Sequence, residues 1–280
     1  MDHEEWTAGQ KTTSVTVDGA DLTMAFREFD GGDGPPVVFV HGIPTWSYLW
    51  HEIAPAIGED HHVVAPDLVG YGNSDSHDGF DRSIRAQEQA LADLIEEYLD
   101  ADSVVLVAHD IGGGVALRYA AHEPDRVAGL VLSNAVCYDS WPVDFISDLG
   151  LPGTADRSVE EIEAHVGGAF EAGVYDEADP EFVAGMVAPW VREGGPTALA
   201  RAAVATNTNH TTEIEYDAIE TELLCLWGGE DSFQPVEYGH RLAEELGGDV
   251  VELEAYHWVT ADRPEEYVTR LREFVTESIG

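Results

Sequence analysis

The run Val104-Val105-Leu106-Val107-Ala108-His109-Asp110-Ile111-Gly112-Gly113-Gly114 constrains this chain more than any other stretch. Four apolar residues in succession, Val104 to Val107, mark a strand buried on both faces, as in a parallel sheet. Small residues follow, and Val115, Ala116, Leu117, Tyr119 and Ala120 then recur at helical spacing. A strand, an abrupt turn and a helix therefore meet at Asp110. The pattern is that of a nucleophile elbow, small-x-nucleophile-x-Gly, with Ala108 and Gly112 as the small residues and Asp110 at the tip. Small neighbours are needed because the strained turn brings strand and helix very close. The same letters also describe a generic strand-to-helix turn that happens to carry an acid, so the rest of the chain has to decide.

Read in order, residues 13–17 and 22–29 alternate as antiparallel strands joined at Asp18-Gly19-Ala20, and 30–36 is a loop by composition. Residues 37–40 form the first fully buried strand. His41-Gly42-Ile43-Pro44-Thr45-Trp46 follows it, then a short helix from about 48 to 57. A strand at 62–67, its outgoing loop 68–75, a helix at 82–99, the elbow and a buried strand at 130–132 come next. From about 136 to 212 the alternation stops. That segment is helical in tendency, punctuated by five prolines, and carries Tyr138, Trp141, Phe145, Phe170, Tyr175, Phe182 and Trp190. It is expected to be a helical cap, 136–212, inserted into a core made of 1–135 and 213–280. The alternation resumes with a strand at 223–227, a helix near 236–246, a strand at 249–253 and a closing helix opened by Asp262-Arg263-Pro264-Glu265. Such alternation predicts an α/β fold, a mostly parallel sheet flanked by helices, with ligand sites beyond the carboxyl ends of the strands.

Every candidate for chemistry falls at such an end. Asp231 lies in Gly228-Gly229-Glu230-Asp231-Ser232-Phe233-Gln234-Pro235, after the strand ending at Trp227, and His257 lies in Glu254-Ala255-Tyr256-His257-Trp258, after the strand ending near Leu253. The chain order is nucleophile, acid, histidine, which is the order of α/β-hydrolases. Nearly the whole chain resembles that superfamily. His41-Gly42-Ile43-Pro44 resembles its oxyanion loop, 66–75 its characteristic loop, and 228–235 its acid loop. An aspartate at the elbow resembles the haloalkane dehalogenases and epoxide hydrolases within it. A serine must lose a proton to attack, whereas a carboxylate is already a nucleophile at neutral pH. The resemblance implies displacement by Asp110, an alkyl ester with the enzyme, and hydrolysis of that ester by water activated by His257 with Asp231 as orienter. The main-chain N–H groups of Ile43 and Ile111 would hold the oxyanion.

The chain departs from the dehalogenase pattern in its halide donors. One usually comes from a tryptophan directly after the nucleophile, where this chain has Ile111, and many dehalogenases use an asparagine where it has Ile43. Trp141 and Trp190 are then the candidate donors to a leaving halide. In favour of a dehalogenase, His41 to Trp50 is close to the corresponding stretch of that family. Asn134 stands where some dehalogenases keep their acid, which leaves Asp231. The arginine that follows the nucleophile in fluoroacetate dehalogenases is absent. An epoxide hydrolase, the alternative chemistry, would need two cap tyrosines as acids, for which Tyr138 and Tyr175 are available. A ligand-sensing protein that keeps this fold without turnover is a third reading, against which the intact trio argues. His41 is expected to order its loop and His109 to pack beneath the elbow.

Charge sets the remaining bounds. Asp plus Glu number 55 against 13 Lys plus Arg, a formal net charge of −42, and Lys11 is the only lysine. The acids are spread along the chain and resemble the composition of proteins from extreme halophiles, where concentrated salt screens self-repulsion. Such charge opposes binding to nucleic acid or an anionic membrane. The acidic start, Met1-Asp2-His3-Glu4-Glu5, is unlike a secretory signal, and no apolar run approaches a membrane span. Cys137 and Cys225 lack metal-ligand spacing, and no metal or cofactor is expected. The expected protein is cytoplasmic, with a small-molecule substrate and water as its partners; its oligomeric state is left open.

Overall fold

Residues 1–32 and 34–279 are described by a computed structural model. Asp33, within the loop expected at 30–36, and Gly280, the end of the range 213–280, lie outside them. Helix α1 (His3–Ala8) is capped by the Asp2 carboxylate, which accepts from the Glu5 N–H, and is anchored by the buried Trp6. Strands β1 (Lys11–Val17) and β2 (Ala20–Asp30) pair antiparallel across the expected turn. There Asp18 and Gly19 take φ of 47° and 82°, a region those two residue types tolerate. Next come β3 (Val37–Val40), α2 (Ile53–Ile57), β4 (His62–Pro66), α3 (Ile84–Asp93), β5 (Val104–His109), α4 (Ile111–His122) and β6 (Val127–Ser133). Four α-helices then follow without a strand: α5 (Asp144–Leu149), α6 (Val159–Ala172), α7 (Pro180–Val187) and α8 (Gly195–Thr206). The chain ends with β7 (Leu223–Gly228), α9 (Val236–Leu246), β8 (Asp249–Leu253), α10 (Val259–Asp262) and α11 (Pro264–Ile279).

The strands form one eight-stranded sheet in the order β1-β2-β4-β3-β5-β6-β7-β8. β1–β2 and β2–β4 pair antiparallel, and every other pair is parallel. All residues of β3, β5 and β7 are buried, as unbroken apolar runs covered on both faces must be. From β3 the chain steps outward to β4 and then crosses back to β5 on the other side. The strand order therefore reverses between β3 and β5, and a cleft opens there at the carboxyl ends. The loop that follows β3 and the turn at Asp110 flank that cleft. Among the described residues, no helix is long and apolar enough to cross a membrane.

Candidate active site

Asp110 sits between β5 and α4 with φ 52° and ψ −126°, a conformation a non-glycine residue holds only when its surroundings enforce it. The enforcement is visible. The Asp110 carbonyl accepts from the N–H groups of Gly113 and Val136, both at 2.9 Å. Gly112 lets α4 begin against the end of β3, because a Cβ there would lie 2.4 Å from the Val40 oxygen and 2.5 Å from the His41 oxygen. Gly42 is equally confined, since its Cβ would fall 2.4 Å from the Asp110 side chain.

The carboxylate that this turn presents is divided between two neighbours. Its Oδ1 accepts the Ile43 N–H at 2.8 Å, and the Ile111 N–H also bonds the carboxylate. Its Oδ2 lies 3.9 Å from His257 Nε2, outside hydrogen-bond reach, so nucleophile and imidazole share no proton directly. On the far side of the ring, His257 Nδ1 is 2.8 Å from Asp231 Oδ2. Asp231 is itself held by the Phe233 N–H at 2.7 Å and the Asn134 side-chain amide at 2.6 Å. The same Asn134 accepts the Gly228 N–H at 3.2 Å, which tells its amide oxygen from its nitrogen. Asn134 thus fixes the acid to the end of β7.

Burial governs the protonation of these groups. It lifts the Asp110 carboxyl from its ordinary 3.8 to about 6, against the pull of His257 and of the two N–H bonds. Burial also works against a charge on His257, but the Asp231 carboxylate, its hydrogen bond and Asp110 outweigh it, and the imidazole is raised. Asp231 moves the other way: burial opposes its charge, yet His257, Asn134 and the Phe233 N–H hold it below the usual range. His109 is kept neutral by burial and by its neighbour His257, whose ring centre is 4.7 Å away.

Asp110 and His257 open onto an apolar pocket of about 330 Å³, counting the part that is open to solvent. Its walls are Ile43, Pro44, Trp141, Val143, Phe145, Ile146, Ala169, Phe233 and Trp258. A separate, more polar recess meets it at His257 and Phe233 and is bordered by Glu230, Asp231 and Gly173.

Asp110, Asp231, His257 and the N–H groups of Ile43 and Ile111 are therefore brought together; of the four expected leaving-group residues only Trp141 joins them, and each of the four has its polar atom bonded elsewhere. Trp141 lines the pocket, but its indole N–H donates to the Thr206 carbonyl at 2.7 Å. The Trp190 N–H donates to the Pro44 carbonyl, which places that ring behind the wall. The Tyr138 hydroxyl bonds Glu245 at 2.7 Å and its ring stacks on Tyr216, away from the pocket. The Tyr175 hydroxyl bonds Glu254 at the surface. In each case a tertiary partner claims the polar atom that the sequence leaves free.

Sequence reasoning missed Trp258, a pocket residue whose buried indole N–H has no acceptor among the described residues. The signal available was its position next to His257. From sequence Asn134 reads only as a missing acid and Asp262 only as a helix start, whereas Asn134 holds Asp231 and the Asp262 carboxylate accepts the Tyr256 N–H just before His257. His41 orders its own loop and ties it to the next: Nδ1 donates to the Gly42 carbonyl at 2.8 Å and Nε2 accepts the Leu68 N–H at 2.9 Å. Among the described residues no group of three or more His, Cys, Asp or Glu side chains is placed to hold a metal ion.

Compared with known proteins, residues 35–178 match a family model described as the alpha/beta hydrolase fold. A stretch of 118 residues is 34% identical to haloalkane dehalogenase 2 of Mycobacterium bovis, covering 42% of this chain and 40% of that protein. A stretch of 105 residues is 36% identical to cis-3-alkyl-4-alkyloxetan-2-one decarboxylase of Shewanella oneidensis, covering 37% of this chain and 33% of the relative. The matches thus span only 33–40% of these curated relatives. The crystal structure of an alpha/beta hydrolase fold protein from Burkholderia ambifaria superposes with a TM-score of 0.82 at 26% identity, covering 93% of this chain and 97% of that one.

Proposed function

The chain belongs to the alpha/beta hydrolase fold family, and on that premise we propose that it uses Asp110 as a nucleophile to cleave a carbon–halogen bond in a small organic molecule. The observation that carries this reading is the division of the Asp110 carboxylate, one oxygen on the Ile43 N–H and the other toward His257. Oδ2 displaces the halide, which leaves with the bonding electrons, and an alkyl ester forms. His257, oriented by Asp231, takes a proton from water as that water attacks the ester carbonyl. Oδ1 then carries the negative charge in the place where the N–H groups of Ile43 and Ile111 already stand. Collapse expels the alcohol and restores the carboxylate, so that halide, alcohol and one proton are the products. Residues 136–212 act as a cap, supplying Trp141, Val143, Phe145, Ile146 and Ala169 to the pocket.

The apolar lining suits a small uncharged substrate, and the dehalogenase relatives supply the leaving group. Trp258 shares the pocket wall with Asp110 and His257, and its indole N–H is buried against Gly173. Epoxide opening stands behind this reading because no tyrosine is among the residues lining the pocket. A binding role without turnover has no use for an imidazole held between two carboxylates. The two buried free cysteines suit the reducing cytoplasm.

One turnover of a haloalkane in heavy-oxygen water tests the mechanism. Label should enter a peptide containing Asp110 and leave the first product unlabelled. His257→Phe should trap the ester, so that the intact protein gains the mass of the alkyl group. Labelled product with an unlabelled peptide would mean direct attack by water and would overturn the covalent reading.

A further inference from the structure

The loop that carries His257 hangs on the segment that follows α6. Three consecutive N–H groups of that loop point at two acceptors. Tyr256 donates to Asp262 Oδ2 at 3.0 Å, while His257 and Trp258 both donate to the Gly173 carbonyl at 3.1 and 3.2 Å. The other oxygen of Asp262 accepts the Tyr175 N–H at 2.8 Å. One carboxylate therefore joins main chain from the helical segment to main chain from the base-bearing loop. Its place is set by α10, a single turn in which the Asp262 N–H returns to the Trp258 carbonyl at 2.9 Å. On the segment side, Arg263 reaches Asp176 at 3.3 Å and Glu254 at 3.4 Å. Gly173 is also the one residue type that fits there, since a Cβ would lie 2.4 Å from the Trp258 indole nitrogen.

We infer that Asp262 is a positioning residue that couples the seating of residues 173–175 to the placement of His257, and so governs the water step more than the displacement step. The side chain of His257 is aimed by Asp231, but its backbone is fixed by this clamp. Displacement by Asp110 needs no proton transfer, whereas ester hydrolysis needs the imidazole within reach of a water. A loosened loop therefore spares the first step and slows the second. The kinetic part of this inference rests on the covalent reading above; the clamp itself does not.

Two variants and two measurements test it. Asp262→Ala removes both carboxylate oxygens while leaving the Gly173 carbonyl, and Asp262→Asn keeps one acceptor oxygen and most of the shape. Misplacing a catalytic group by about 1 Å costs on the order of 100-fold, so ester hydrolysis in Asp262→Ala should fall by roughly that factor, with ester formation changed by less than about threefold. The alkyl-enzyme should then accumulate in the steady state, visible by intact mass, with Asp262→Asn in between. Hydrogen exchange, read without substrate, should quicken together at Tyr175 and at residues 256–258. Equal slowing of both steps, or unchanged hydrolysis in either folded variant, would overturn the positioning role. Faster exchange at only one of the two segments would overturn the clamp. Failure to trap any ester in His257→Phe would instead sink the covalent reading, with the exchange result still deciding the clamp.

Discussion

Burial raises the Asp110 carboxyl above its ordinary value to about 6, and this has a consequence for stability as well as chemistry. The folded state holds that proton more tightly than the unfolded chain does. Stability from this group is therefore full below about 4 and is lost as pH rises through about 6. At neutral pH the folded protein carries an ionised, buried carboxylate at a cost of roughly 2 to 3 kcal/mol. Asp110→Asn keeps an oxygen for the Ile43 N–H and cannot ionise. It should abolish turnover yet raise the melting temperature at pH 7.5, with the gap narrowing as pH falls through about 6 and closing below about 4. A gap that stays the same across that range would contradict the burial argument. The residues of this site were legible to very different degrees. Asp110, Asp231 and His257 sit on loops leaving strands, where chain order alone places them. A distant carbonyl, Thr206 or Pro44, meets the indole N–H of Trp141 and Trp190, and none among the described residues meets that of Trp258. No local pattern encodes that.

The elements sort by how many of their faces are covered. β3, β5 and β7 are buried throughout and stand out as apolar runs, and β8 has the bounds expected from the sequence. The antiparallel strands β1 and β2 extend beyond the expected 13–17 and 22–29, because their polar ends are held by ladder bonds rather than by burial. The expected helix at 48–57 divides into a tight turn at Ser47–Trp50 and α2. The helix expected at 82–99 keeps regular α geometry only to Asp93 and then widens through Tyr98. Helix α1 is too short to show a period, and its place depends on Trp6, whose N–H reaches Ser47 at 2.9 Å. Where the sequence demands contact between elements, a single methyl group is a sharp probe. In Gly112→Ala the new Cβ must push α4 from the carbonyls that end β3. Stability should fall by about 1 to 3 kcal/mol, as overpacking does, and a denaturant midpoint would read it. Activity of the still-folded variant should drop on the order of 100-fold, because Asp110 and both N–H donors shift together. Full activity in a destabilised variant would mean that the close approach serves packing alone.

Across the whole molecule the dominant long-range force is repulsion among carboxylates. Among the described residues only Asp67, Asp110 and Asp231 are buried acids. Each of these has its own N–H donors: Asp67 takes them from Ser47, Asn73 and Gln10, Asp231 from Phe233 and Asn134, and Asp110 from Ile43. These donors hold Asp231 below its ordinary value, while burial still raises Asp67 and Asp110, and bulk salt reaches none of the three. The remaining acids among the described residues lie at or near the surface, and 13 Lys plus Arg are too few to neutralise the chain's 55 Asp plus Glu. Exposed ion pairs such as Arg241–Glu245 contribute little each and cannot offset that excess. Ionic strength can. Raising salt from about 0.1 to about 1 M shortens the screening length from roughly 10 to roughly 3 Å, below the usual spacing of surface charges. The melting temperature should therefore climb steeply over that range in sodium or potassium chloride. The same rise should be largely reproduced at low salt by lowering the pH to about 4.5, where many surface carboxylates begin to take up protons. Sucrose, which stabilises by exclusion without screening, should give a smaller gain that adds to that of salt. A melting temperature that is flat between dilute and molar chloride would show that the acidic surface is already tolerated without screening. The charge of −42 would then govern solubility rather than folding.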